Sequence, residues 1–248
     1  MMHHQNHTHY VFALSALLSS LPAFAFNLDA YISGGATMPR LVNNANVHVF
    51  DDLSNRYVTR RQTDTRGMWG GGAAIRFAVP STSAFDLSVG VAGYAMDFGT
   101  IQGTKYPSAN LGDFDPLHYA FKTNSTVGLV EGRFAYTAFA WQPYVVAGLG
   151  VAKNTLENYT ETPMGTAVPG QLFQRGRLNH SAIEAGFGIK HTLLTDQSGK
   201  TIALALDYRY FNTGSGHLGA FDEQTTRDRL RIHHLETDAL LFTLNLSL

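Results

Sequence analysis

Residues Thr237–Leu248 read TDALLFTLNLSL, and the fold turns on how that stretch is read. Leu240, Phe242, Leu244, Leu246 and Leu248 are apolar, separated by Thr243, Asn245, Ser247 and, against the pattern, Leu241. A period of two belongs to a β-strand with one apolar and one polar face. In a soluble sandwich the apolar face looks inward, and a terminal strand is an edge that needs covering. In a transmembrane barrel the apolar face looks out to lipid, and closure removes the edge. The stripe fits both.

The opposite end separates them. Tyr10–Leu21 is apolar and is followed by Pro22 and the small-x-small triplet Ala23-Phe24-Ala25. This is the pattern of a secretory signal peptide over residues 1–25, cleaved after Ala25 to leave Phe26 first. Its leading region carries His3, His4, His7 and His9 in place of Lys or Arg. Such a tract could be read as metal-binding, but it is expected to leave with the signal. The remaining residues, 26–248, are within the range of one all-β domain.

Seven further segments alternate as the last one does. They are Asn27–Ala36, Met68–Val79, Ala84–Asp97, Thr123–Thr137, Gln142–Lys153, Ser181–Leu193 and Thr201–Phe211. The seventh of these is the cleanest, with Ile202, Leu204, Leu206, Tyr208 and Tyr210 against Asp207 and Arg209. Short links (Pro80–Ser83, Ala138–Trp141, Thr195–Lys200) alternate strictly with long ones (Thr37–Gly67, Phe98–Lys122, Asn154–His180, Asn212–Glu236). That is the layout of an outer-membrane barrel with short periplasmic turns and long extracellular loops. The expected fold is therefore all-β: a closed eight-stranded antiparallel transmembrane β-barrel with four long extracellular loops. Val47–Phe50 and Tyr57–Arg60 are read as strand extensions above the membrane, with a ten-stranded barrel as the alternative. Phe77, Phe85, Phe134, Tyr136, Phe139 and Trp141 gather near the short turns, as an interfacial girdle does.

Composition is consistent with this and excludes other classes. There is no cysteine, so an exported chain of this kind has no disulfides and depends on sheet closure. A formal net charge of −1 offers no nucleic-acid signal. Mean hydropathy is −0.09, and no stretch after residue 25 approaches the roughly 18 unbroken apolar residues of a transmembrane helix. Barrels escape that criterion, because half of each strand faces a polar interior.

The signal peptide, the eight alternating strands, PYVVAGLGVAKN at Pro143–Asn154 and the apolar-alternating end resemble the small outer-membrane β-barrel family of opacity-protein and OmpA-type barrels. The likeness covers essentially all of residues 26–248 and contains no invariant catalytic motif. It implies a Gram-negative outer-membrane location, contact with outer-membrane lipid, and insertion by the barrel-insertion machinery. Leu240, Phe242, Leu244, Leu246 and Leu248 would then be the insertion signal. In the family that signal usually ends in Phe; here it ends in Leu248.

With the apolar face outward, Asp29, Asp86, Glu131, Glu184 and Asp207 share a lumen with Arg76, Arg133, Lys190 and Arg209. Unpaired charges in a narrow interior are costly, and an eight-stranded barrel is just wide enough for side chains to fill it. The expectation is a salt-bridged plug, with a narrow pore or gate as the alternative. Gly148, Gly150, Gly186 and Gly188 make room on the inward face. Gly70-Gly71-Gly72 lacks the Gly-Lys-Ser/Thr of a phosphate loop.

Some barrels of this kind are lipid A-modifying enzymes or proteases. The nearest local pattern is Asn179-His180-Ser181 with Glu184 and His191, but adjacent strand residues point to opposite faces, so His180 and Ser181 should not share a hydrogen bond. His233-His234 is read as part of a solvated loop ahead of a metal site. The resulting expectation is a non-enzymatic protein without catalytic, metal or cofactor residues. Its loops would serve adhesion, interaction with a host or surface ligand, or envelope integrity. A small-solute channel stands second and a lipid A-modifying enzyme third.

Overall fold

The computed structural model describes residues 26–40, 44–50, 53–60, 64–77, 84–111, 114–170, 173–221 and 228–248. The signal peptide, the leading histidines and the Pro80–Ser83 turn lie outside the described residues. Strands are β1 (Phe26–Arg40), β2 (Asn44–Phe50), β3 (Leu53–Thr59), β4 (Arg66–Phe77), β5 (Phe85–Tyr106), β6 (Leu117–Tyr136), β7 (Trp141–Pro163), β8 (Gly176–Thr195), β9 (Thr201–Asn212), β10 (Gly216–His217), β11 (Arg231–Ile232) and β12 (Glu236–Ser247).

Eight of them close a ring, β1–β4–β5–β6–β7–β8–β9–β12 and back to β1, every pairing antiparallel. The terminal stripe is not an edge: Leu244 is opposite Ile32 of β1 on one side and Leu204 of β9 on the other. Closure of this kind removes the unpaired backbone that an open sheet would expose.

β2 and β3 correct the sequence reading. They are not extensions of membrane strands but a separate hairpin, joined to the ring where β3 (Arg56–Thr59) pairs with the upper end of β5 (Gly103–Tyr106). β4 pairs with β5 only as far as Met96. Above that point β5 would have a bare edge, and β3 covers its Gly103–Tyr106 end. The ring stays at eight.

The strands are also longer than their alternation suggested. β5, β6 and β7 run 22, 20 and 23 residues, whereas β9 and β12 run 12. One wall of the barrel therefore stands well above the other at the long-loop end. At the short-turn end, the Asp196 carboxylate accepts hydrogen bonds from the Ser198 hydroxyl and from the Ser198 and Lys200 amides. The Ser198 hydroxyl and these turn amides hold that carboxyl below the usual carboxylate range. Gly199 takes the left-handed φ of +84° that closes the turn.

Outward positions form an apolar belt: Ile32, Leu87, Val91, Val130, Leu149, Phe187, Leu204 and Phe242 are all exposed. On β7 it runs from Trp141 to Val151, about 33 Å along the strand at 3.3 Å per residue. Tilted as barrel strands are, that is a band about 25 Å tall. Near its short-turn margin Phe85 stacks on Phe134, and Trp141 stacks on His191.

The belt ends abruptly. Higher up, β6 turns His118, Lys122 and Asn124 outward and buries Tyr119 and Phe121, while β7 turns Lys153 outward and buries Leu156 and Tyr159. Below this level the outside is apolar and the inside charged; above it the polarity is reversed.

Candidate functional site: the closed interior

The interior is filled in three tiers, built by inward-facing residues of the ring strands and, in the uppermost, also by Phe173 and Phe221 of the long loops.

The middle tier centres on Arg209 of β9, whose side chain has no exposure. Its Nη1 donates to Glu184 Oε1 at 2.5 Å and to the Tyr94 hydroxyl at 2.6 Å, and lies 3.3 Å from Glu131 Oε1. Tyr94 and Tyr31 in turn donate to the two oxygens of Glu131, at 2.7 and 2.6 Å. Asp207 is 3.6 Å from Arg209 Nη2 and accepts from Thr243 Oγ1 at 2.5 Å and from Tyr144. Seven strands thus contribute to one cluster of hydrogen bonds and ion pairs, which is how buried charge is tolerated. Small residues make the room. A Cβ on Gly188 would collide with Asp207 and Tyr144, and one on Gly72 with the Tyr31 ring.

The lower tier, toward the short turns, holds Arg76 against Asp29 through two hydrogen bonds of 2.5 and 3.1 Å. Arg76 also donates to Ser247 at 2.6 Å and lies 4.0 Å from Asp86. Arg133 links the two tiers: its guanidinium lies 3.9 Å from the centroid of the Tyr31 ring and donates to Glu131 at 3.2 Å. Lys190 lines a cavity of about 40 Å³ beside Asp29, Arg76, Asp86 and Arg133. All nine charged residues inferred from the sequence therefore sit in the lumen, in two groups.

The upper tier was not foreseen. Above Arg209 the interior is aromatic and aliphatic: Phe211 packs edge-on against Tyr94, and Tyr119, Phe121, Tyr159, Phe173 and Phe221 continue the contacts upward. Leu241, the residue that broke the terminal alternation, is fully buried among them. A second buried ion pair lies here, Lys105 Nζ to Glu161 Oε1 at 2.7 Å, with the Tyr159 hydroxyl donating to the same carboxylate. Apart from Phe211 and Tyr94, the aromatics of this tier and this ion pair sit in stretches that the sequence assigned to loops. Alternation continuing through Leu117–Phe121 with its faces exchanged is the signal that could have found them.

Leu240, Phe242, Leu244, Leu246 and Leu248, which the resemblance would make an insertion signal, all face outward, 40–69% exposed. The His180–Ser181 expectation needs correcting. Ser181 Oγ lies 3.3 Å from His180 Nδ1. The imidazole turns back along its own strand and lies against Gly214, where an added Cβ would collide with it. Glu184 is enclosed on Arg209, and the His191 ring stacks on Trp141, at the other end of β8. His234 Nδ1 lies 3.9 Å from Glu236 and is largely exposed.

No family model matches this sequence, and no curated protein matches it. Solved structures align with it at low similarity. The outer membrane protein OprG from Pseudomonas aeruginosa is 13% identical, with 88% of this chain and 94% of that chain covered and a TM-score of 0.36. The outer membrane protein AlkL in lipid bilayers is 14% identical over 92% and 94%, with a TM-score of 0.33. The outer membrane protease OmpT from Escherichia coli is 7% identical over 92% and 99%, with a TM-score of 0.34.

Proposed function

We propose that this chain is an integral outer-membrane β-barrel without enzymatic activity. Its interior is a structural plug, and its function is carried by the surface-exposed long-loop end in adhesion, interaction or envelope integrity. The reversal of polarity along β5, β6 and β7 carries this reading. A wall that is apolar outside and charged inside suits lipid; one that is polar outside and apolar inside suits water. Both occur on the same strands, so the upper boundary of the membrane falls near Val130, Val151 and Ile183, and the long-loop end stands in solvent.

Labelling on intact cells tests that placement. The chain has no native cysteine, so a single one introduced as Gln102→Cys, on the exposed upper part of β5, should react with a membrane-impermeant maleimide. Ser198→Cys, in a short turn, should react only after the outer membrane is permeabilised. The opposite order overturns the orientation.

A small-solute channel is the second reading, favoured by the lower tier, where Asp29, Arg76 and Asp86 keep 18–31% side-chain exposure. Against it stand the fully enclosed Arg209 layer and the aromatic tier above it. Purified protein in planar bilayers should show no sustained unitary conductance; a stable open level would overturn the plug. A lipid A-modifying activity has less support, since among the described residues no carboxylate hydrogen-bonds the His180–Ser181 pair and Glu184 is held inside.

A further inference from the structure

The outer face of β6, β7 and β8 just above the apolar belt carries charge that the barrel itself does not use. The register places three outward rows there. Thr126, Lys153 and Asn179 form the lowest; Asn124, Thr155 and Arg177 the next; Lys122 and Glu157 the third. Strands lie about 5 Å apart and successive outward residues about 7 Å apart, so Lys153, one outward step below Thr155, and Arg177, directly opposite Thr155, lie diagonal to each other, and Lys122 closes the group from above. All three cations are exposed. Among the described residues none has an ion-pair partner within 4.0 Å, and Glu157, the acid in these rows, is engaged by Arg175 at 3.0 Å.

The opposite wall at this height differs. There Asp238 of β12 is paired with Arg40 at 2.5 Å and accepts from the Tyr208 hydroxyl at 2.6 Å. Its charge is already matched. On the wall of β6, β7 and β8 the unpaired positive charge begins at Lys153, one outward step above Val151, itself 66% exposed in the belt.

We propose that this face binds the phosphorylated headgroup of a glycolipid in the loop-side leaflet, of lipid A type, with the acyl chains lying along the belt beneath; this rests on the outer-membrane reading above. Two features select a lipid over a dissolved anion. The cations adjoin the apolar band, so a bound molecule with both parts satisfies both surfaces. The positions between them, Thr126, Asn124, Thr155 and Asn179, are neutral hydrogen-bonding groups suited to sugar hydroxyls. Lys and Arg at an interface bury their stems and present the charged head at phosphate height.

The full chain in neutral-headgroup micelles is titrated with bisphosphorylated lipid A, with the same lipid after removal of its phosphates, and with inorganic phosphate. Unfolding temperature and native mass spectrometry are the readouts. The phosphorylated lipid should bind and stabilise, the dephosphorylated lipid much less and inorganic phosphate not measurably. Lys153→Gln/Arg177→Gln should weaken binding of the phosphorylated lipid at least tenfold, while the charge-matched Arg56→Gln/Lys200→Gln, remote from the face, should bind as the native chain does. Equal binding of the two lipids, native affinity in Lys153→Gln/Arg177→Gln, or equal protection by inorganic phosphate overturns the proposal. Failure to insert into lipid vesicles of any composition would instead overturn the outer-membrane reading; insertion without headgroup discrimination overturns this proposal alone.

Discussion

Arg209→Ala should destabilise the inserted barrel by about 3–5 kcal/mol, the usual cost of removing one partner from a buried charge pair. Arg209 is fully enclosed and is the nearest cation to Glu184 and Asp207. Without it, Glu131, Glu184 and Asp207 share a closed tier in which Arg133, 3.2 Å from Glu131, is the remaining counter-charge. The measurement is urea unfolding followed by the shift in gel mobility between folded and unfolded barrel, with bilayer conductance recorded in parallel. Two outcomes fit the tiered interior: a lower unfolding midpoint, or a new conductance if water enters to solvate the stranded acids. Adding Glu184→Gln to Arg209→Ala should recover part of the loss, because it neutralises the carboxylate that Arg209 Nη1 contacts at 2.5 Å. Unchanged stability together with unchanged conductance would mean that Arg209 is solvated, and the assignment of faces would have to be abandoned.

Much of this architecture follows from period-two alternation, because a barrel strand at membrane depth is constrained on both faces at once. Ile202–Tyr210 cannot slip by one residue without turning Asp207 and Arg209 into lipid. That constraint fixes the eight ring strands and places the nine lumen charges. It weakens where the strands leave the membrane. There the outward face meets water, and an apolar residue such as Phe121 or Leu156 is needed inside instead. Alternation persists but its sense reverses, so these stretches look like loops to a reading that expects apolar residues outside.

The hairpin of β2 and β3 was misplaced for a related reason. Val47 and Tyr57 mark strands, but which strand they join depends on how far β4 accompanies β5, and local pattern carries no record of that. Leu241 is the converse case. It looked like an exception in the terminal stripe, and it is the point where β12 enters the apolar upper tier. The proximity of His180 and Ser181 comes from a side-chain rotation in the part of β8 above its pairing with β9, to which the alternation rule does not extend.

Leu204→Arg tests whether the belt meets lipid. Leu204 lies within the apolar run of β9, opposite Leu244 of β12, and its side chain is about half exposed. On a soluble sandwich an exposed Leu→Arg change would be nearly neutral. In the hydrocarbon of a bilayer the same change costs about 2–4 kcal/mol near the midplane and about 0–1 kcal/mol near the interface. The comparison site is Leu28, opposite Ile75 of β4 at the short-turn end of the belt and exposed to the same degree. Folding each variant into vesicles and titrating with urea should give a clear loss for Leu204→Arg and a small one for Leu28→Arg. Because both positions are exposed leucines that change to the same residue, the difference isolates depth from side-chain chemistry. Equal and small losses at both sites would place the belt in water, and the apolar stripe of Leu240–Leu248 would then need a protein partner to cover it.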